Sequence, residues 1–192
     1  SDVCSSDLGH LEVTLEEIDP EIARVLATSR KGLSIIGIRD LSDDVAAALG
    51  SGRGGSLNID PVERLSRNAC ESLAGYGGWL NMNGVQSWPE GGLEAIVQHR
   101  GGLSIRVTDV SRERARVLAR HRGNLYVVGV ERLDEDAARE LVAHVGTIDL
   151  ANARGITPAA AAIFRQRAGI RFPEPTDASP SPSPGPLSAA AP

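Results

Sequence analysis

Aromatic residues, cysteine and lysine are all scarce in this sequence, and no long apolar run occurs. With aromatics at 3% of 192 residues, a core of Leu, Ile, Val and Ala stacked in layers is expected, and a ligand cage built from rings is not. The two cysteines support neither a disulfide framework nor a thiolate metal site. Cys70 falls where other helical segments carry Ala46, Leu93 or Ala138, so packing is its expected role. No apolar stretch approaches the roughly 20 residues needed to span a bilayer, so membrane insertion is not expected. The formal charge is −5, with both signs mixed along the chain. This lacks the basic stripe that phosphate backbones require and argues against nucleic acid as a partner. No cofactor or metal is expected. Carboxylate pairs such as Asp43-Asp44 and Glu135-Asp136 fall in what read as first helical turns, where negative charge is favoured. No catalytic constellation remains, and the chain reads as a non-enzyme.

What the sequence does contain is a repeat, seen most clearly in Leu125 to Gly146, LYVVGVERLDEDAARELVAHVG. Alternating Leu125 and Val127 read as a short strand with one buried face, followed by Gly129 and Val130. Asp134 is placed to cap a helix whose apolar positions are Ala137, Ala138, Leu141 and Val142. The first strand position recurs at Leu11, Leu33, Leu57, Leu80, Leu103, Leu125, Ile148 and Ile170, at spacings of 22 to 24 residues. A second apolar position follows two residues on, at Val13, Ile35, Ile59, Met82, Ile105, Val127, Leu150 and Phe172. The capping position returns as Asp19, Ser42, Ser66, Ser111, Asp134 and Thr157, and the fourth copy substitutes a proline-led start at Trp88-Pro89. Each helix is expected to stop at a glycine: Gly32, Gly54, Gly77, Gly101, Gly123, Gly146 or Gly169. A fixed period in the 20 to 50 range marks a solenoid, whose unit buries its apolar face only by stacking on neighbours.

The chain therefore divides into residues 1–10, a non-native or disordered N-terminal segment; residues 11–173, a seven-copy β/α array of about 23 residues per copy; and residues 174–192, a Pro/Ser/Ala-rich tail or linker. The first nine residues, SDVCSSDLG, which include Cys4, resemble translated sequencing-adaptor sequence. The first copy has no polar element to cover its open end, so upstream coils are expected. The middle is expected to be softest, with Gly91-Gly92 inside the fourth helix at a cost of about 1 kcal/mol per glycine relative to alanine. Trp88 takes the slot of Leu41, Leu65 and Leu133 and is expected in the core.

Parallel strands lie about 4.8 Å apart and packed helices about 8 to 10 Å, so the array should bend towards its strands. The concave face is then lined by the residues between the buried strand positions. Among these, Asn58, Asp60, Asn81, Asn83, Ser104, Arg106 and Tyr126 form a continuous hydrogen-bonding strip, the candidate binding face. Trp79, placed just before its strand, joins it as an anchor or covers a turn. His99, His121 and His144 occupy the same place near three successive helix ends. The helix spacing sets them too far apart to share one metal ion, and they are expected to answer the carboxyl-end dipole of their own helices, as are Arg100 and Arg122. Gly50, Gly52 and Gly55 match G-x-G-x-x-G, but they follow a helix and precede a strand, the reverse of a phosphate-binding loop.

The segments LSIIGIRDLSDDVAAALGSGRGG and LYVVGVERLDEDAARELVAHVGT resemble the leucine-rich-repeat-like arrays common in bacteria such as planctomycetes, over about 85% of the chain by the repeat logic. That resemblance implies a right-handed β/α solenoid, a horseshoe with a parallel concave sheet and convex helices, used for protein interaction. The usual asparagine after the strand is replaced by Ile38, Val62, Val85 and Val130. The preference for arginine, with Lys31 the sole lysine, suits a GC-rich bacterial genome. Two functions follow: a monomeric, non-catalytic scaffold holding a protein or peptide on its concave face, or a regulatory or substrate-docking fragment of a larger enzyme or surface protein. Carbohydrate binding would call for more exposed aromatics than Trp79 and Tyr126.

Overall fold

The computed structural model describes residues 10–174. The expectations for residues 1–9, including Cys4, and for the tail beyond 174 lie outside the described residues.

Strand and helix alternate along the chain. The order is β1 (His10–Thr14), α1 (Pro20–Ala27), β2 (Gly32–Ile36), α2 (Asp43–Gly50), β3 (Ser56–Asn58), α3 (Arg67–Leu73), β4 (Trp79–Met82), α4 (Gly92–Ile96), β5 (Leu103–Arg106), β6 (Asp109–Val110), α5 (Arg112–Leu118), β7 (Leu125–Val128), β8 (Arg132–Leu133), α6 (Glu135–Leu141), β9 (Ile148–Asp149), α7 (Pro158–Phe164) and β10 (Ile170–Arg171). Eight strands form one parallel sheet in the order β1-β2-β3-β4-β5-β7-β9-β10, so each main strand pairs with the next in sequence. The short β6 and β8 pair separately, also parallel, at the turn after the strand. The result is a parallel β/α repeat solenoid with a strand layer and a helix layer.

The repeat period sets the register. Leu11, Leu33, Leu57, Leu80, Leu103, Leu125, Ile148 and Ile170 are partnered in turn across the sheet. Leu57, Leu80, Leu103 and Leu125 are fully buried. Each such side chain contributes roughly 1.5–3 kcal/mol by leaving water, and none has a core without its neighbours. The position after the strand is a second apolar column: Ile38, Val62, Val85, Val107 and Val130 are all buried. These coils therefore pack aliphatic groups at the turn after the strand. Cys70 is also buried, and burial pushes its thiol up to about 12, which fits a packing role. On α1, which packs on α2 among the described residues, Ile22 is 45% and Val25 70% exposed.

The helix starts agree with the caps read from sequence. Asp19, Ser42, Ser66, Ser111, Asp134 and Thr157 each accept a backbone N–H of the first turn through the side chain. The fourth helix differs from expectation. It begins at Gly92 rather than at Pro89, and its N-cap is Gly91 at φ 71°, without a side-chain cap. The glycine pair therefore starts a five-residue helix instead of interrupting a longer one. Trp88 is half-buried rather than in the core, because its indole N–H reaches out to donate to the Arg106 carbonyl at 2.9 Å.

The glycines after the helices also serve a different purpose from the one expected. The helices end at Ala27, Gly50, Leu73, Ile96, Leu118, Leu141 and Phe164 with right-handed caps, several residues before most of those glycines. What requires glycine is the approach of one coil to the next. A Cβ on Gly101 would lie 2.0 Å from the Gly78 carbonyl oxygen, and one on Gly123 would lie 2.1 Å from that of Gly101. Gly50, first of the G-x-G-x-x-G set, likewise leaves no room, at 2.1 Å from the Ser72 oxygen.

Candidate functional site

The outward face of the sheet, turned away from the helices, carries all eight candidate residues. Asn58, Asn81, Ser104 and Tyr126 stand side by side in register across β3, β4, β5 and β7. Asp60 and Asn83 continue the pattern just past β3 and β4, and Arg106 ends β5.

Their polar atoms are not all available, since several hold neighbouring coils together. Asn58 Oδ1 accepts the Asp60 N–H at 2.9 Å, and Asp60 Oδ1 accepts the Asn83 N–H at 2.8 Å. Asn83 Oδ1 accepts the Ser104 hydroxyl at 2.9 Å, while Arg106 donates its Nε–H to the Asn83 carbonyl at 2.9 Å. Asn81 Oδ1 accepts the indole N–H of Trp79 at 2.8 Å. Side-chain oxygens are thus used inside the array, and Ser104 is buried. What remains towards solvent is the asparagine amide N–H groups, the guanidinium of Arg106, the Tyr126 hydroxyl and the second carboxylate oxygen of Asp60.

Trp79 is in the strand rather than before it, and faces outward. Opposite it, just before β5, stands Gly102, where a Cβ would lie 2.0 Å from the indole ring. The ring therefore covers the glycine's backbone, a packing that supplies the apolar contact the glycine lacks. Crossing β5, it meets Tyr126 edge-on, with ring centroids 5.2 Å apart at 67°. Tyr126 itself is 38% exposed. The pair forms an apolar ledge beside the amide donors. Arg106 is steered by Gly129, whose φ of 75° and missing Cβ leave the guanidinium room 3.0 Å from where that carbon would be. It lines two neighbouring depressions, one of about 560 Å³ with Glu131, Asn152 and Arg154, the other of about 530 Å³ with Asp60, Asn83 and Thr108. The Trp79–Tyr126 contact was hidden in the sequence, because the two residues are far apart along the chain and meet only through strand order.

The three histidines are placed differently from expectation. They are buried, not at an exposed helix end. Their rings stack nearly parallel, His99 on His121 at 6.3 Å and His121 on His144 at 5.9 Å between centroids, closer than helices pack because the loops there keep nearly the spacing of the sheet. Each bonds to the preceding coil rather than to its own helix. His99 Nε2 donates to the Gly78 carbonyl at 2.9 Å and His144 Nε2 to that of Gly123 at 3.0 Å, while His121 Nδ1 faces the Val97 carbonyl at 3.3 Å. His121 Nε2 and His144 Nδ1 are buried without a partner. Burial holds all three imidazoles below their ordinary value of 6.5, outweighing the carbonyls that favour the proton; for His121 and His144 the adjacent imidazole lowers it further. Among the described residues, no group of three or more His, Cys, Asp or Glu is arranged to hold a metal ion.

No protein-family profile matches the chain, and no curated protein matches it in sequence. Similarity appears in three dimensions. A chain from the crystal structure of the Rad7 and Elc1 complex in yeast superposes with a TM-score of 0.50 at 15% identity, over 82% of this chain and 44% of that one. At that identity the likeness is one of fold. This chain spans less than half the length of the solved neighbour.

Proposed function

We propose that this chain is a non-catalytic scaffold that holds a protein partner on the outward, concave face of a right-handed, leucine-rich-repeat-like array. The observation that carries the reading is the chemistry left on that face: amide, guanidinium and phenol donors beside the Trp79–Tyr126 ledge, with the Oδ1 atoms of Asn58, Asp60, Asn81 and Asn83 already bonded within the array. Such a surface suits a polypeptide whose carbonyls or carboxylates meet the donors while an apolar side chain rests on the rings. The similar solved chain was crystallised in a complex of two proteins, which agrees with this use of the fold.

Site-specific photocrosslinking tests it. With benzoylphenylalanine in place of Tyr126, one discrete partner adduct is expected, and it should be lost when Arg106→Ser is added. The same probe in place of the exposed Asp136 on α6 should give none. Equal adducts from both faces would contradict the assignment.

A further inference from the structure

The charges that alternate along the sequence separate in space. Seven connections lead from a helix end to the next strand, at 28–31, 51–55, 74–78, 97–102, 119–124, 142–147 and 165–169, and none contains Asp or Glu. They carry eight Arg and Lys residues out of the 20 in the chain. The acidic residues fall on the helices, the strands and the opposite rim, where Glu16, Glu17, Asp40, Glu63, Asp109 and Glu131 lie. Stacking the coils therefore gathers a basic rim on a protein of net charge −5, and corrects the expectation that no such stripe exists.

Seven of these cations are exposed; Arg165 pairs with Glu174, and the other six are Arg30, Lys31, Arg53, Arg100, Arg120 and Arg122. None of the six is in an ion pair among the described residues. Helix carbonyl ends account for part of this charge, but that field fades within the last turn. Arg30, Arg53, Arg100 and Arg122 lie beyond the last helical residues Ala27, Gly50, Ile96 and Leu118. The row is continuous. Arg53 lies across Gly77, its Cβ and Cγ 3.4 Å from where a side chain would begin, and so fills the one coil between Lys31 and Arg100 that has no cation of its own. Arg100, Arg120 and Arg122 then surround a depression of about 470 Å³ with Val97, Gln98 and His99.

We propose that this rim is a second interaction surface, separate from the sheet face, that binds an acidic polypeptide segment in extended form. From the connection before β2 to the one before β7 is four strand spacings, roughly 19 Å at about 4.8 Å each. About six extended residues at ~3.3 Å cover that span, and guanidinium forks match carboxylates two bonds at a time. A nucleic acid fits less well: no exposed aromatic stands on the rim to stack a base, Tyr76 there being buried.

The test is fluorescence anisotropy with a labelled ten-residue alternating Asp–Glu peptide, a Gly–Ser peptide of equal length and a ten-nucleotide thymidine strand. The acidic peptide should bind in dilute salt and weaken at least tenfold in 0.5 M salt. The Arg100→Ser/Arg120→Ser/Arg122→Ser variant should weaken it at least tenfold, and Arg30→Ser/Lys31→Ser by a smaller factor. Arg39→Ser/Arg154→Ser on the opposite rim and Tyr126→Ser on the sheet face should leave it unchanged, which separates this surface from the one proposed above. Acidic-peptide binding no tighter than that of the Gly–Ser peptide would overturn the proposal. So would equal binding by the triple variant, or a thymidine strand bound as tightly as the peptide.

Discussion

A buried imidazole with no partner for one nitrogen, as in His121 and His144, is tolerable only while it stays neutral. The stacked histidines therefore tie stability to acidity. Because the folded protein binds these protons more weakly than the unfolded chain does, their contribution is fully present above the ordinary value of 6.5 and is lost as pH falls below it. The urea midpoint should drop between pH 7.5 and 5.5, and His99→Gln/His121→Gln/His144→Gln should flatten that drop. Equal slopes in both proteins would assign the acid sensitivity elsewhere. The glycines give a second residue-scale prediction. Gly101→Ala should cost roughly 1–3 kcal/mol in chemical denaturation, as overpacking does, because the clash is with backbone. Gly55→Ala, with its nearest atom at 3.6 Å, should stay within about 0.5 kcal/mol of wild type. The sequence marks these positions as recurring but not why, since helix termination and close approach of coils both select glycine. Only the 2.0 Å distance at Gly101 decides between them.

Among the elements, the strands and helix starts were the most legible. Two buried positions recurring together every 22 to 24 residues leave one stacking register, and Ser or Asp before a helical run has one common use, to accept first-turn N–H groups. The fourth helix shows where local signals mislead: proline at position 89 suggested a helix start, yet the Gly92 N–H bonds back to the Pro89 carbonyl at 2.9 Å in a turn, and the helix opens later. With five residues and no side-chain cap, α4 should open most readily. Amide exchange followed by mass spectrometry should show residues 92–97 exchanging faster than the corresponding parts of α3 and α5. Slower exchange there than in its neighbours would mean that packing, not capping, governs local opening. The histidines were misplaced for a related reason: the expected separation was that of helix axes, while their loops keep nearly the strand spacing.

Over the whole molecule, a strictly sequential parallel sheet gathers residues from distant parts of the chain into rows. The row of Asn58, Asn81, Ser104 and Tyr126 was legible, because alternation along each strand defines it. Its internal bonding was not, because Asp60 accepting the Asn83 N–H requires knowing the stagger between coils. The basic rim was missed because charge was read along the sequence rather than across the stack. All of these rows rest on coils being equivalent and in register. Disulfide trapping in a background lacking the native thiols measures that directly. Asn58 and Asn81 are register partners, so Asn58→Cys/Asn81→Cys should oxidise readily in the folded protein. Asn58→Cys/Asn83→Cys, two residues out of step and so beyond the ~7 Å that a disulfide tolerates between Cα atoms, should stay reduced. Efficient crosslinking of the second pair, or none in the first, would contradict the stacked-coil arrangement.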